Sequence, residues 1–133
     1  MPEPMEAAAI TGAERRIIGI IDDDPSMLTG VGRLLSAHGF LAVVYPSAEA
    51  FLECAAASEA CCLVLDINLG GISGIELRRR LEADGFTLPV IFMTAADCKD
   101  IEREAVEAGC VAYLRKPFPS RQLIDAIDKA VRV

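Results

Sequence analysis

Basic residues are in the minority in this sequence. Its 133 residues include 13 lysines and arginines against 20 aspartates and glutamates, which gives a formal net charge of −7. A protein binds a nucleic-acid backbone largely by neutralising phosphates with Lys and Arg, and this chain lacks the excess of positive charge that such binding requires. We therefore expect no direct contact between this chain and nucleic acid.

Disulfide and zinc patterns are also missing. The chain has five cysteines, an odd number without a CxxC pair, and a single histidine, His38. This set provides neither a disulfide framework nor the ligands of a structural zinc site. We expect reduced cysteines that are mostly buried as small apolar side chains, in a cytoplasmic protein. They are Cys54, Cys61, Cys62, Cys98 and Cys110.

Long apolar segments are absent as well. The apolar runs are four to six residues long, whereas a membrane-spanning helix needs about 20 apolar residues. The N-terminal residues have no basic stretch followed by an apolar core, so they do not resemble a signal peptide. These features predict a protein without membrane association, and its 53% of hydrophobic residues suffice for one compact domain.

The order of the segments predicts the fold. Residues 1–15 show no sustained periodicity, so we interpret them as a mobile tail before a domain formed by residues 16–133. In that domain short β-rich runs alternate with segments of helical period. Such repeats require right-handed parallel crossovers, which predicts an α/β fold: a three-layer, doubly wound, five-stranded parallel sheet of (βα)5 type. The strands are expected at 17–21, 40–45, 62–67, 90–94 and 111–114, and the helices at 25–38, 47–57, 74–83, 99–108 and 120–131.

Acidic residues collect where the predicted strands end. Asp22 and Asp23 follow the first strand, and Asp66 lies at the end of the third. Ligands of doubly wound sheets bind outside the carboxyl ends of the strands, so these carboxylates are expected at one site. Their mutual repulsion is relieved by a hard divalent cation, and Mg²⁺ suits a set of two or three carboxylates with a carbonyl oxygen.

A threonine and a lysine complete this edge of the sheet. Thr94 ends the fourth strand and Lys116 follows the fifth. An ammonium group and a hydroxyl beside a magnesium site form a pocket suited to a phosphoryl group. Asp66 then becomes the candidate nucleophile, because it stands alone on the central strand opposite the acid pair and could form an aspartyl phosphate.

The sequence from about residue 17 to residue 131 resembles the response-regulator receiver domain, the CheY-like module of bacterial two-component signalling. The matching motifs are IIDDDPSM, DINLGGISGIEL, PVIFMTA and AYLRKPF, in that order. The segment PSAEAFL and the KPF motif followed by a helix are most similar to receivers of the FixJ type. The resemblance implies a flavodoxin/CheY-like fold.

The resemblance implies a role for each acid. Asp66 would be the phosphoacceptor. Asp23 would be a direct Mg²⁺ ligand, Asp22 would act partly through water, and the backbone carbonyl of Asn68 would complete the metal set with Asp66. Asp24 would be a third, less essential acid.

The resemblance also implies the parts of a switch. Thr94 would be the hydroxyl that moves towards the phosphoryl oxygen, and Lys116 its cationic partner. Tyr113 would be the aromatic switch residue on the fifth strand. The bond between Lys116 and Pro117 would be cis, which only an X-Pro bond adopts at low cost.

One loop departs from the family's pattern. Leu69 and Gly70 stand where the family commonly has Met-Pro, and Gly71 follows. Replacing Met by Leu conserves volume and should matter little. The paired glycines remove the restriction of a proline and add conformational freedom to the loop whose Asn68 carbonyl must face the metal.

The expected function is that of a receiver that takes a phosphoryl group from a histidine kinase or phosphotransfer protein and acts on a downstream protein through helix 4, strand 5 and helix 5. It would be no enzyme beyond Mg²⁺-dependent phosphotransfer to itself and autodephosphorylation, and it could form a phosphorylation-linked homodimer. One alternative is a phosphorylation-independent pseudo-receiver. Another is the N-terminal part of a longer DNA-binding regulator. A haloacid-dehalogenase-type phosphatase would need Asp where Asn68 stands, and a flavodoxin-like FMN carrier would need aromatic loops in place of the acids.

Overall fold

The computed structural model describes residues 16–95 and 99–131. The tail predicted at residues 1–15 lies outside the described residues, as does Cys98. Five strands form one parallel sheet in the order β2-β1-β3-β4-β5, which confirms the predicted fold class. The strands are β1 (Ile17–Ile21), β2 (Leu41–Tyr45), β3 (Cys62–Asp66), β4 (Val90–Thr94) and β5 (Ala112–Arg115).

Five helices connect and flank these strands. They are α1 (Pro25–Ala37), α2 (Ala48–Cys54), α3 (Gly74–Ala83), α4 (Lys99–Glu107) and α5 (Ser120–Val131). Each begins and ends within two residues of its prediction except α2, which gives way to a short 3-10 turn at Ala55–Ala57. Sequence periodicity does not separate these two helix types because a single tightened turn keeps nearly the same spacing of side chains.

Local chemistry explains where the helices stop and start. Pro25 opens α1, and the Asp24 carboxylate accepts a hydrogen bond from the Ser26 amide, so Asp24 is its N-cap. Ser47 and Ser73 cap α2 and α3 in the same way. Gly39 follows α1 with φ +88°, in the left-handed region that favours glycine.

The core has two halves, one on each face of the sheet. Side chains of α1 and α5 pack on one face, and those of α2, α3 and α4 pack on the other. Every residue of β3 and β4 is buried, as their apolar sequences predict for strands covered on both faces. Helix α4 buries one residue, Ala105, and its Ile101 packs half-buried against the same core.

The prediction that the cysteines are mostly buried is wrong for the four that the structure describes. Only Cys62 is buried, and burial, with Cys61 beside it, raises the pKa of its thiol to about 12. Cys61 and Cys110 are half-buried, and Cys54 is exposed at the end of α2. Cysteine content does not say where each residue lies: Cys54 ends a helix, Cys61 and Cys110 lie just before strands, and only Cys62 lies in the buried strand β3.

The helices do not support a membrane-spanning segment. Within residues 16–95 and 99–131, none is both long enough and apolar enough to cross a bilayer.

Candidate functional site

Three carboxylates meet at the carboxyl edge of the sheet. Asp22 directly follows β1 and Asp66 ends β3, and these two strands are neighbours in the sheet. One carboxylate oxygen from each of Asp22, Asp23 and Asp66 lies within 4.8 Å of the others. Asp22 is fully buried and Asp66 is 5% exposed, whereas Asp23 is exposed. The group is therefore an acidic pocket with a buried floor and one side open to solvent.

Lys116 reaches into this pocket from the loop after β5. Its Nζ donates to Asp22 Oδ2 at 2.9 Å and to Asp66 Oδ2 at 3.1 Å. Burial lowers the pKa of Lys116, but its hydrogen bonds to the two carboxylates outweigh that effect and the pKa is raised above the ordinary value. The lysine is consequently a fixed positive charge that bridges the two buried acids.

The environment of Asp66 disfavours the charged form of its carboxyl group. Burial raises the pKa of this carboxyl, and the neighbouring Asp22 charge adds to the effect. The Asn68 backbone amide, which donates to Asp66 Oδ1 at 2.9 Å, and Lys116 act in the opposite direction, yet the pKa remains above its usual value. Lys116 contacts two of the three carboxylates, and Asp23 adds a further negative charge beside them, so a further cation would relieve the remaining repulsion.

Thr94 lies beside these acids at the end of β4 and is fully buried. The Asn68 side-chain amide donates to Thr94 Oγ1 at 3.2 Å. The family resemblance implies a role only for the backbone carbonyl of Asn68 and does not predict this side-chain contact. An asparagine two residues after Asp66 was the available signal, but a side chain's direction in a loop does not follow from sequence spacing.

The loop between β3 and α3, residues 67–73, forms another wall. A Cβ atom at Gly74 would lie 2.4 Å from the backbone oxygen of Asp66, so only glycine allows α3 to start this close to the strand. The Gly74 amide donates to the Ile67 carbonyl at 3.1 Å. This close contact fixes where the loop after Asp66 ends.

The structure places the remaining predicted residues as follows. The peptide bond between Lys116 and Pro117 is cis. Tyr113 is half-buried on β5, is paired with Phe92 of β4, and packs with the core on the α4 side of the sheet. Asp24, predicted as a third acid, is not part of the three-carboxylate group and caps α1 instead.

The fold and this site define the class of protein: a doubly wound domain with an acidic pocket bridged by a lysine, as in CheY-like signalling receivers. The family model described as the response regulator receiver domain matches residues 18–128. The chain therefore belongs to the response regulator receiver domain family, the phosphorylation modules of two-component systems, and its acidic group fits the family's phosphorylation site.

Curated relatives agree with this assignment. The transcriptional regulatory protein FixJ of Bradyrhizobium diazoefficiens is 34% identical over 115 residues, which are 86% of this chain and 56% of FixJ. The response regulator protein TodT of Pseudomonas putida is 31% identical over 117 residues, which are 88% of this chain and 52% of TodT. The chain spans about half the length of the curated relatives it matches.

Solved structures agree as well. Full-length FixJ from B. japonicum matches with a TM-score of 0.83 at 33% identity, covering 88% of this chain and 58% of that one. A response regulator receiver protein from Burkholderia phymatum matches with a TM-score of 0.79 at 35% identity, covering 90% of this chain and 97% of that one. The second match extends over nearly a complete receiver.

Proposed function

We propose that this domain accepts a phosphoryl group on Asp66, takes it from a phosphohistidine of a histidine kinase or phosphotransfer protein, and passes the signal to a downstream protein. The observation that carries the proposal is the Lys116 ammonium group held between the buried carboxylates of Asp22 and Asp66. A structural ion pair would need one acid. Two buried acids with a third, exposed acid beside them favour a site that binds a metal cation and then a phosphoryl group.

The donor set fits Mg²⁺. Its ligands would be carboxylate oxygens of Asp22, Asp23 and Asp66, which lie within 4.8 Å of one another, with the backbone carbonyl of Asn68. Hard oxygen ligands and an open side, where water and phosphate can complete an octahedron, suit Mg²⁺ better than Ca²⁺. When bound, the ion would neutralise negative charge on the phosphoryl oxygens and the carboxylates.

The residues of the chain supply the rest of the chemistry. An oxygen of Asp66 forms a bond to phosphorus while the bond from phosphorus to the histidine nitrogen breaks, so the electron pair of that bond leaves with the imidazole. Lys116 is close enough to Asp66, at 3.1 Å, to transfer its contact to a phosphoryl oxygen. The later attack of water on the phosphorus atom releases phosphate and restores the carboxylate. The domain is thus both substrate and catalyst of its own modification.

The signal would start at Thr94. Its hydroxyl, which now accepts a hydrogen bond from the Asn68 side chain, would turn to the phosphoryl group. Such a move would change the space beside Tyr113 and α4, which packs on the core through buried Ala105 and half-buried Ile101. The altered surface of α4, β5 and α5 would then bind the target or a second copy of the chain.

The experiment is to incubate the protein with acetyl phosphate, with and without Mg²⁺, and to locate the modification by mass spectrometry. We expect an acid-stable, base-labile phosphoryl group on Asp66 that requires Mg²⁺ and is absent from Asp66→Asn. An unmodified wild-type protein would refute the proposal and favour a phosphorylation-independent receiver. Longer relatives such as the transcriptional regulatory protein FixJ support the alternative that the domain is the N-terminal part of a DNA-binding regulator.

A further inference from the structure

A glutamate outside the acidic pocket contacts the loop that borders it. Glu49 lies in the first turn of α2, and its Oε2 accepts a hydrogen bond from the Ile72 backbone amide at 3.1 Å. The same carboxylate lies against the neighbouring residue, because a Cβ atom at Gly71 would be 2.4 Å from Oε2. The absence of a side chain at residue 71 is therefore what allows the carboxylate to reach the loop.

The opposite side of this loop faces the pocket. A Cβ atom at Gly70 would lie 3.9 Å from Asp23 Oδ2, so the loop passes directly beside the exposed acid. The loop's ends are fixed by the hydrogen bonds of Asn68 to Asp66 and of Gly74 to Ile67. Two adjacent glycines lie between these ends, and a Gly-Gly pair has more conformations to lose on ordering than any other dipeptide.

We infer that Glu49 is a positioning residue for the proposed metal site: it holds the β3–α3 loop in the conformation that directs the Asn68 carbonyl at the ion. The inference rests on the proposed function. Glu49 touches neither the pocket nor its acids. Its contact excludes loop conformations that lie away from Asp23, so the loop loses less conformational entropy when the ion binds.

Three variants separate this role from a general effect of charge or helix stability. Glu49→Ala removes the acceptor and should weaken Mg²⁺ binding about tenfold, the lower range for residues that orient metal ligands. Glu49→Gln removes the charge but keeps an acceptor oxygen, and its affinity should stay within about twofold of wild type. Glu53→Ala, which removes an exposed acid one turn further along α2, is the matched control and should bind as wild type does.

Gly71 provides a second and independent perturbation. The φ angle of Gly71 is not positive, so alanine fits its backbone. The new Cβ would displace the carboxylate of Glu49, which is the movable partner, and break the contact. Gly71→Ala should therefore lose affinity about as much as Glu49→Ala, and the double variant should be no weaker than either single variant, because both remove one and the same contact.

The measurement is Mg²⁺ binding by isothermal titration calorimetry, accompanied by thermal unfolding without Mg²⁺. The inference requires that Glu49→Ala, but not Glu49→Gln or Glu53→Ala, loses affinity, and that the double variant shows no additional loss. Losses that multiply in the double variant, or a Glu49→Ala affinity equal to that of Glu53→Ala, would overturn it. If the wild-type protein itself binds no Mg²⁺, the metal assignment of the proposed function fails first.

Discussion

Removing the positive charge of Lys116 should destabilise the unmodified protein. In Lys116→Met the apolar stem of the side chain is kept and the ammonium group is lost, so two buried carboxylates, Asp22 and Asp66, remain without their cation. The side chain of Lys116 is 20% exposed and the side chains of its partners are 0% and 7% exposed, which places the contacts in a medium of low polarity. We expect a folded protein of clearly lower stability.

The magnitude follows from the two contacts. A charge pair at about 3 Å gains roughly 5 to 6 kcal/mol at an effective dielectric constant of about 20, and desolvation offsets most of that gain. Removing one partner of such a buried group costs about 3 kcal/mol because the opposite charges stay behind. For a domain of this size the loss corresponds to a fall of about 10 °C in Tm.

The assay is urea unfolding followed by circular dichroism, at neutral pH and with a chelator to remove divalent ions. Lys129→Met, which removes an exposed lysine of α5, is the matched control and should change the unfolding free energy by less than about 0.5 kcal/mol. The deficit of Lys116→Met should shrink as the pH falls, because the carboxylates become protonated, and it should also shrink in Lys116→Met/Asp66→Asn.

An unfolding free energy of Lys116→Met equal to that of the control would refute this reasoning. It would mean that water enters the pocket and screens the two acids as well as the lysine does. A deficit that persists at low pH would also contradict it, because the loss would then come from packing and not from charge.

Four further outcomes are expected. Without metal, Asp66→Asn should be more stable than wild type at neutral pH, because the raised pKa of Asp66 means that its charged form destabilises the folded state. The difference in unfolding free energy should vanish as the pH falls through that raised pKa towards the ordinary pKa of Asp, which unfolding measured at several pH values would show. Mg²⁺ at about one hundred times its dissociation constant should stabilise wild type by about 2.7 kcal/mol in thermal unfolding, with a smaller effect on Asp23→Asn. Thr94→Val should still be phosphorylated by acetyl phosphate but lose the amide shifts of α4 and β5 in NMR spectra, and an unchanged set of shifts would show that Thr94 is not the switch. Gly74→Ala should cost about 2 kcal/mol or more in urea unfolding, because its Cβ would overlap the Asp66 carbonyl.

Much of the site follows from the sequence because of the fold's own geometry. Parallel strands bring their carboxyl ends to one edge, so Asp22, Asp66, Thr94 and Lys116 had to lie near one another once the (βα)5 order was recognised. The family motifs then assigned roles that strand order alone does not. The structure places these residues together, with Lys116 in contact with two of the acids.

What the sequence could not predict lies in loops and on exposed surfaces. Glu49 is, by its pattern, an ordinary acid in the first turn of a helix, where the helix dipole already accounts for it. Its contact with the Ile72 amide depends on how α2 and the β3–α3 loop pack together, which the spacing of residues along the sequence does not predict. Asp24 was expected near the pocket because it is consecutive with Asp22 and Asp23. The backbone turns after Asp23, so Asp22 and Asp23 lie in the pocket whereas Asp24 caps α1.

The wide separation of the pocket residues along the chain also governs when the pocket comes into existence. Lys116 contacts residues that lie 94 and 50 positions before it. Contacts between such distant residues form late, because the entropy of closing long loops must be overcome before they contribute any energy. A chain still emerging from the ribosome would carry its three acids without their lysine until β5 has joined the sheet. A growing polypeptide therefore lacks the complete acidic pocket, which exists only once the whole domain has folded.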